Sequence, residues 1–252
     1  MRKRIHFIFG RRLSMNPQQY RQFLADPAAL LNSLGNVRQI RLESNMTREI
    51  PNSVSRTVQN PGAVPLHYQY SAARVTPVTL RYDDTGISAT SAVWISRNQP
   101  NGIYQRDRAY YLQWAPDCAY AVDLGFDAQL FFTAELTGCG IMVFKAPSKT
   151  IVVHHNVQVP PVPQTFMQWV FESAAARQRR EAAHVSDVRT QTLLNLAQDI
   201  VASHPGITGG TLLSAQQYGD RARVFGIKRG GQWRLYVNYP SGGNYRTDLL
   251  YQ

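Results

Sequence analysis

From residue 66 to residue 125 the chain is a succession of short runs rich in valine, isoleucine, threonine, tyrosine and tryptophan, and from 166 to 203 it changes to helical periodicity. That segregation constrains the fold more than any other feature. Strands alternating with helices would build a doubly wound parallel sheet, whereas strands in one block and helices in another build α+β layers. The runs 75–82, 87–95 and 110–114 are broken at Asp83-Asp84-Thr85-Gly86 and Gln99-Pro100-Asn101-Gly102, which predicts hairpins. Further strand-like runs at 141–144 and 150–153 flank Lys145-Ala146-Pro147-Ser148-Lys149, a second hairpin signal. The C-terminal part returns to strands at 224–228 and 233–239, joined by Arg229-Gly230-Gly231. The expected fold is α+β: a β-sandwich-like arrangement of mixed sheets flanked by helices, in a single main domain.

The helical segments are less regular. Asn16-Pro17 is an N-cap followed by proline at the first helical position, and Tyr20, Phe23, Leu24, Leu30, Leu31 and Leu34 follow at helical spacing up to Gly35. Pro27 interrupts the pattern, so two short helices are expected. Asn60-Pro61-Gly62 and Pro65 mark a turn-rich connection. Residues 157–163 hold three prolines and read as a stiff connector; helices at 166–183 and 185–203 follow, ended by His204-Pro205-Gly206. Between 127 and 136, periodicity alone leaves helix and buried strand both open. A length of 252 residues suits one substantial core. We therefore divide the chain into an N-terminal helical or irregular extension, 1–65, and a main domain, 66–252.

Several function classes are excluded or disfavoured. No apolar run approaches the roughly 20 residues needed to span a bilayer. The basic start, Met1-Arg2-Lys3-Arg4, precedes an apolar run that stops at Gly10-Arg11-Arg12, too short for a cleaved secretory signal. Two cysteines, Cys118 and Cys139, are too few for a disulfide scaffold, so a reducing compartment is expected. A net charge of +11 favours anionic partners. The basic clusters, near the N-terminus and at Arg177-Gln178-Arg179-Arg180, lack interleaved stacking aromatics, and nucleic acid is not required. Neither a phosphate-binding loop nor a dinucleotide fingerprint is present, and Cys139 lacks the nearby second ligand of a zinc site. No metal and no organic cofactor are expected.

The chemistry-bearing stretch is Leu130-Phe131-Phe132-Thr133-Ala134-Glu135-Leu136-Thr137-Gly138-Cys139-Gly140, followed by Val152-Val153-His154-His155-Asn156. A lone cysteine among apolar strands is most often a small buried hydrophobe. Here Gly138 and Gly140 flank it, so the main chain can turn sharply and aim amides, with the Thr137 turn, at a developing oxyanion. The adjacent histidines project to opposite faces of one strand, so one faces the cysteine. Thr133, upstream, supplies a hydroxyl able to orient an imidazole. Thiol, imidazole and orienter are the parts of a nucleophilic cysteine site.

These residues carry a resemblance. Leu130 to Thr133 with Leu136-Thr137-Gly138-Cys139, and later Val153-His154-His155-Asn156, resemble the active-site signature of the glutamine deamidase toxins related to Burkholderia lethal factor. The cytotoxic necrotizing factor catalytic domain carries a similar Leu-Ser-Gly-Cys element, with serine where this chain has Thr137. Tyr111-Leu112-Gln113-Trp114 is similar to a tryptophan-containing strand that precedes the motif. The match covers residues 110–156.

The resemblance implies that Cys139 is the nucleophile, His154 its acid/base partner, with His155 as fallback, and Thr133 the third member. It implies a hydrolase that converts a glutamine of a host protein to glutamate through a thioester, and a bacterial effector or toxin that is secreted or translocated into the host cytoplasm. Known relatives act on a translation initiation helicase or on Rho-family small GTPases. A transglutaminase, or a cysteine protease using the same pair, is the nearest alternative. A basic binding module with a structural Cys139 is the non-enzymatic one.

Overall fold

The computed structural model describes residues 13–14, 17–33, 39–42, 54–58, 66–71, 75–83, 86–91, 106–157, 159 and 172–252. Among these, two sheets pack face to face and helices cover their outer faces, the α+β arrangement expected from the segregated strands and helices. The first sheet contains β1 (Leu13–Ser14), β2 (Gln39–Leu42), β5 (Val75–Asp83), β6 (Gly86–Ser91), β7 (Arg106–Leu112), β9 (Leu130–Thr133), β13 (Arg223–Arg229), β14 (Gln232–Ser241) and β15 (Asn244–Tyr251). The second contains β3 (Val54–Val58), β4 (Leu66–Ser71), β8 (Cys118–Leu124), β10 (Gly140–Ala146), β11 (Lys149–Asn156) and β12 (Gly209–Leu213).

Period-two burial explains why the sheets pair. Leu112, Phe131, Val224 and Leu235 of the first sheet meet Val122, Ile141, Val143 and Val152 of the second in one buried cluster, the inter-sheet core. The opposite face of the first sheet, with Leu130, Phe132 and Phe225, is covered by α1 (Pro17–Ala25) and α2 (Pro27–Ser33). Phe23 stacks on Phe225 at 5.9 Å between ring centroids. The opposite face of the second sheet, with Met142, Ile151 and Val153, is covered by α3 (Ala174–Ser203) through Leu193, Leu196 and Ile200. Their spacing of three and four residues forms one stripe along the helix.

Pro27 separates α1 from α2, as the sequence implies, because it opens the second helix at its first position. One open alternative is settled and one expectation is corrected. Residues 127–136 hold a strand, β9, whose four residues are all buried: a strand covered on both faces shows no alternation for a pattern to reveal. The break expected near His184 is missing, and α3 runs unbroken for 30 residues, because neither glycine nor proline interrupts its hydrogen-bond ladder there. Ser173 caps its start by accepting from the Ala176 amide. The terminal hairpin turns at Gly230 and Gly231 with φ of 56° and 82°, the left-handed pair that a two-residue turn needs. A further strand, β15, follows it.

The turns at Asn60 to Gly62 and Gln99 to Gly102, the basic cluster at Arg2 to Arg12, the stop at Gly35 and residues 160–171, with most of the proline connector and the start of the first long helix, lie outside the described residues. Of the first 65 residues, those described contribute α1, α2 and β1 to β3, and these strands pair with β5, β6 and β4.

Candidate active site

Two of the crossings from the first sheet to the second leave the same end of the sandwich. β7 and β9 lie parallel and adjacent, and each leads into a strand of the other sheet: β7 into β8 and β9 into β10. β11 ends there too, since His154 pairs with Tyr120 and Asn156 with Cys118 at the start of β8. Topology therefore gathers Thr133 at the end of β9, Cys139 in the second crossover, and His154 and His155 at the end of β11.

The Cys139 turn is firmly held. Leu136 is fully buried and exchanges two main-chain hydrogen bonds with Ala222, at 2.7 and 3.0 Å. Gly138 follows with φ of +87°, a conformation that costs a side-chain-bearing residue energy. Cys139 is 2% exposed and belongs to the inter-sheet cluster, and its carbonyl accepts a 2.6 Å hydrogen bond from the Tyr218 hydroxyl. Tyr218 ends the short helix α4 (Ala215–Tyr218). Gly140 then enters β10 opposite His155.

The two histidines part company at this point. Alternation from Val152, an inter-sheet residue, puts His154 on the inter-sheet side with Cys139, and puts His155 on the side facing α3 with Val153. Both are buried, at 1% and 3% exposure, and among the described residues no ring nitrogen of either makes a hydrogen bond of good geometry. The Gln113 main chain, in the first crossover, is the polar group that favours a charged His154. His155 packs on the glycine after the cysteine: a Cβ on Gly140 would lie 2.0 Å from its Nε2.

On the α3 side a cavity of about 430 Å³ reaches the turn. Gly138, Cys139, Gly140 and His155 form its floor, and Arg189 with Leu193 of α3 lies across from them. Cys139 thus shares the inter-sheet side with His154 and lines the cavity with His155.

Thr133 shares the inter-sheet end, but its hydroxyl is engaged elsewhere. It donates to the Val224 carbonyl at 3.1 Å and accepts from the Val224 amide at 3.2 Å, clamping β9 to β13. In this arrangement it orients neither histidine.

The electrostatics differ from those of a thiolate–imidazolium pair. Burial pushes the Cys139 thiol up, opposed by the Thr137 main chain and by the Arg189 charge. Burial pushes His154 down to about 3 and His155 down to about 3, the latter assisted by His154 and Arg189. At neutral pH the groups are a thiol and two neutral imidazoles, because a closed apolar environment disfavours both charged forms. Cys118, also a free thiol, is likewise pushed up by burial.

Sequence reasoning missed Arg189 and Tyr218. Arg189 was one polar position among many on a long helix, and Tyr218 lies in a short segment with no periodic signal; neither had a local cue. Among the described residues no three His, Cys, Asp or Glu side chains converge as metal ligands, and no helix is long and apolar enough to cross a membrane. No protein-family model matches the chain, and no curated protein does either.

Proposed function

We propose that this protein is a cysteine-dependent amide hydrolase that converts a protein glutamine to glutamate, with Cys139 as nucleophile and His154 as its acid/base partner. The observation that carries the reading is the position of Cys139: on a glycine turn between sheets, on the side that alternation gives His154, and lining a ligand-sized cavity. The resemblance of residues 110–156 to glutamine deamidase toxins supports the substrate class, and with it the role of an effector acting inside a host cell. A net charge of +11 suits an acidic target surface.

Because the resting pair is neutral, attack and proton transfer are concerted. The Cys139 sulfur bonds to the carboxamide carbon as its proton passes to a His154 ring nitrogen, and the negative charge on the substrate oxygen is met by main-chain amides of the 137–140 turn. The imidazolium returns that proton to the amide nitrogen, which leaves as ammonia. A thioester remains. Water then attacks it, His154 takes the water proton, and collapse gives the glutamate side chain and restores the thiol. His155 lies on the cavity side, packed over Gly140. The Gln113 main chain, which favours the charged form of His154, stabilises the imidazolium as it forms.

Incubation of the wild-type and Cys139→Ser proteins with host-cell lysate, followed by mass spectrometry, tests this. The expected result is a gain of about one mass unit at particular glutamines, dependent on Cys139 and abolished in His154→Ala. A folded Cys139→Ser protein with an unchanged pattern would refute it. Incorporation of an added primary amine at those glutamines would make the enzyme a transglutaminase instead.

A further inference from the structure

Among the described residues, the cavity beside Cys139 contains a cation without a counter-ion. Arg189 reaches over the turn from α3, and its Nη1 and Nη2 lie 3.6 and 3.7 Å from where a Cβ of Gly138 would stand. Both arms of the guanidinium fork therefore sit beside the residue that precedes the nucleophile. Its Nε is buried and has no hydrogen-bond partner. Among the described residues no carboxylate pairs with it, and none of the residues lining the cavity is aspartate or glutamate. Elsewhere on α3, Arg180 does face a carboxylate, holding Glu172 through two hydrogen bonds, at 2.9 and 3.0 Å.

An unpaired guanidinium in a partly closed cavity favours an anionic guest, and its planar fork matches a carboxylate through two parallel hydrogen bonds. A second polar group lines the same cavity: His155, 3% exposed, whose ring nitrogens have no hydrogen-bond partner among the described residues. Size adds a third argument. About 430 Å³ lies within the range of roughly 300–1,000 Å³ typical of ligand sites and exceeds what one carboxamide side chain fills. Val185, Leu193 and Leu212 supply apolar wall for the additional stem.

We propose that this cavity is a carboxylate-recognition site, in which Arg189 grips an acidic group of the substrate adjacent to the carboxamide that Cys139 attacks. The assignment rests on the reading of Cys139 as nucleophile. Arg189 is then a specificity-determining residue, and the protein selects a glutamine with a carboxylate next to it. The carboxylate comes either from a neighbouring acidic side chain or from the α-carboxylate of a chain-terminal glutamine.

Binding measured without turnover separates these ideas. In the Cys139→Ser background, calorimetric titration compares N-acetylated, C-terminally amidated peptides in which glutamine is followed by glutamate or by a second glutamine. A further pair, N-acetylglutamine and its amide, tests the α-carboxylate. The peptide or small molecule bearing the recognised carboxylate is expected to bind at least about tenfold more tightly than its neutral counterpart. Arg189→Gln erases the preference, and Arg189→Lys, which keeps the charge and loses the fork, retains part of it. Equal affinity within both pairs, absence of binding by all four probes, or a preference that survives in Arg189→Gln would overturn the assignment. If Arg189→Gln fails to fold, the paired affinities with Arg189 present and the Arg189→Lys variant still decide. Cys139-dependent deamidation with no carboxylate preference would sink this inference alone. A carboxylate preference with no Cys139-dependent ammonia release would sink the amidase reading and leave the anion site standing.

Discussion

Replacing Gly140 by alanine isolates one contact at the centre of the site. The φ of Gly140 is outside the left-handed region, so alanine can adopt the backbone, and the penalty is purely steric. A new Cβ would stand 2.0 Å from His155 Nε2, 2.9 Å from Cε1 and 3.0 Å from Cδ2. Restoring an ordinary contact near 3.5 Å requires the ring to retreat by about 1.5 Å. The ring is 3% exposed, on a strand paired on both sides, so that space must come from its packed neighbours. Overpacking of this kind costs about 1–3 kcal/mol. Equilibrium unfolding in urea is expected to show that loss, with a fall in melting temperature of roughly 2 to 12 °C for a chain of this size. The decisive comparison is the same substitution in a His155→Ala background, where the obstructing ring is gone. There Gly140→Ala is expected to cost less than about 0.5 kcal/mol, so that nearly the whole penalty emerges as a pairwise coupling between 140 and 155. An equal penalty in both backgrounds would refute the placement of the His155 ring over Gly140.

Acid stability follows from the buried imidazoles. Both have folded-state values near 3, below the unfolded value of 6.5, so the unfolded chain binds protons more readily. Their contribution is intact above pH 6.5 and declines as the pH falls from 6.5 towards 3, at up to about 1.4 kcal/mol per pH unit for each histidine. Removing His155 is expected to lower that slope in urea titrations across pH 4 to 6. Tyr218→Phe leaves the buried Cys139 carbonyl without its 2.6 Å partner and is expected to cost about 1–3 kcal/mol in urea unfolding. Thr133→Val breaks the clamp on Val224 and is expected to cost about 1–3 kcal/mol, which Thr133→Ser restores. If Thr133 acts only through that clamp, Thr133→Ser retains full Cys139-dependent activity.

How much of the site could be read in the sequence varies residue by residue. Cys139 could be singled out because glycine flanks it on both sides, and turns are local. The alternation of His154 and His155 could be read because strand geometry is local too. Which face each would take could not, since that depends on which side of β11 receives the first sheet and which receives α3. Thr133 had the right distance along the chain, but its hydroxyl was claimed by Val224, a residue 91 positions away. The strand β9 was ambiguous for a related reason, because burial on both faces removes the alternation that marks a strand.

By itself, then, the amino-acid order determined the segregation of strands from helices, the Pro27 break, the Gly230-Gly231 turn and the thiol on a glycine turn beside paired imidazoles. Each rests on interactions within a few residues, where backbone sterics and side-chain periodicity dominate. Tertiary structure alone decided that two crossovers meet at one end of the sandwich, that Arg189 from a distant helix faces the cysteine, and that thiol and imidazoles are held neutral. Those outcomes depend on long-range packing and on the loss of water it brings, and neither has a signature in any short stretch of chain.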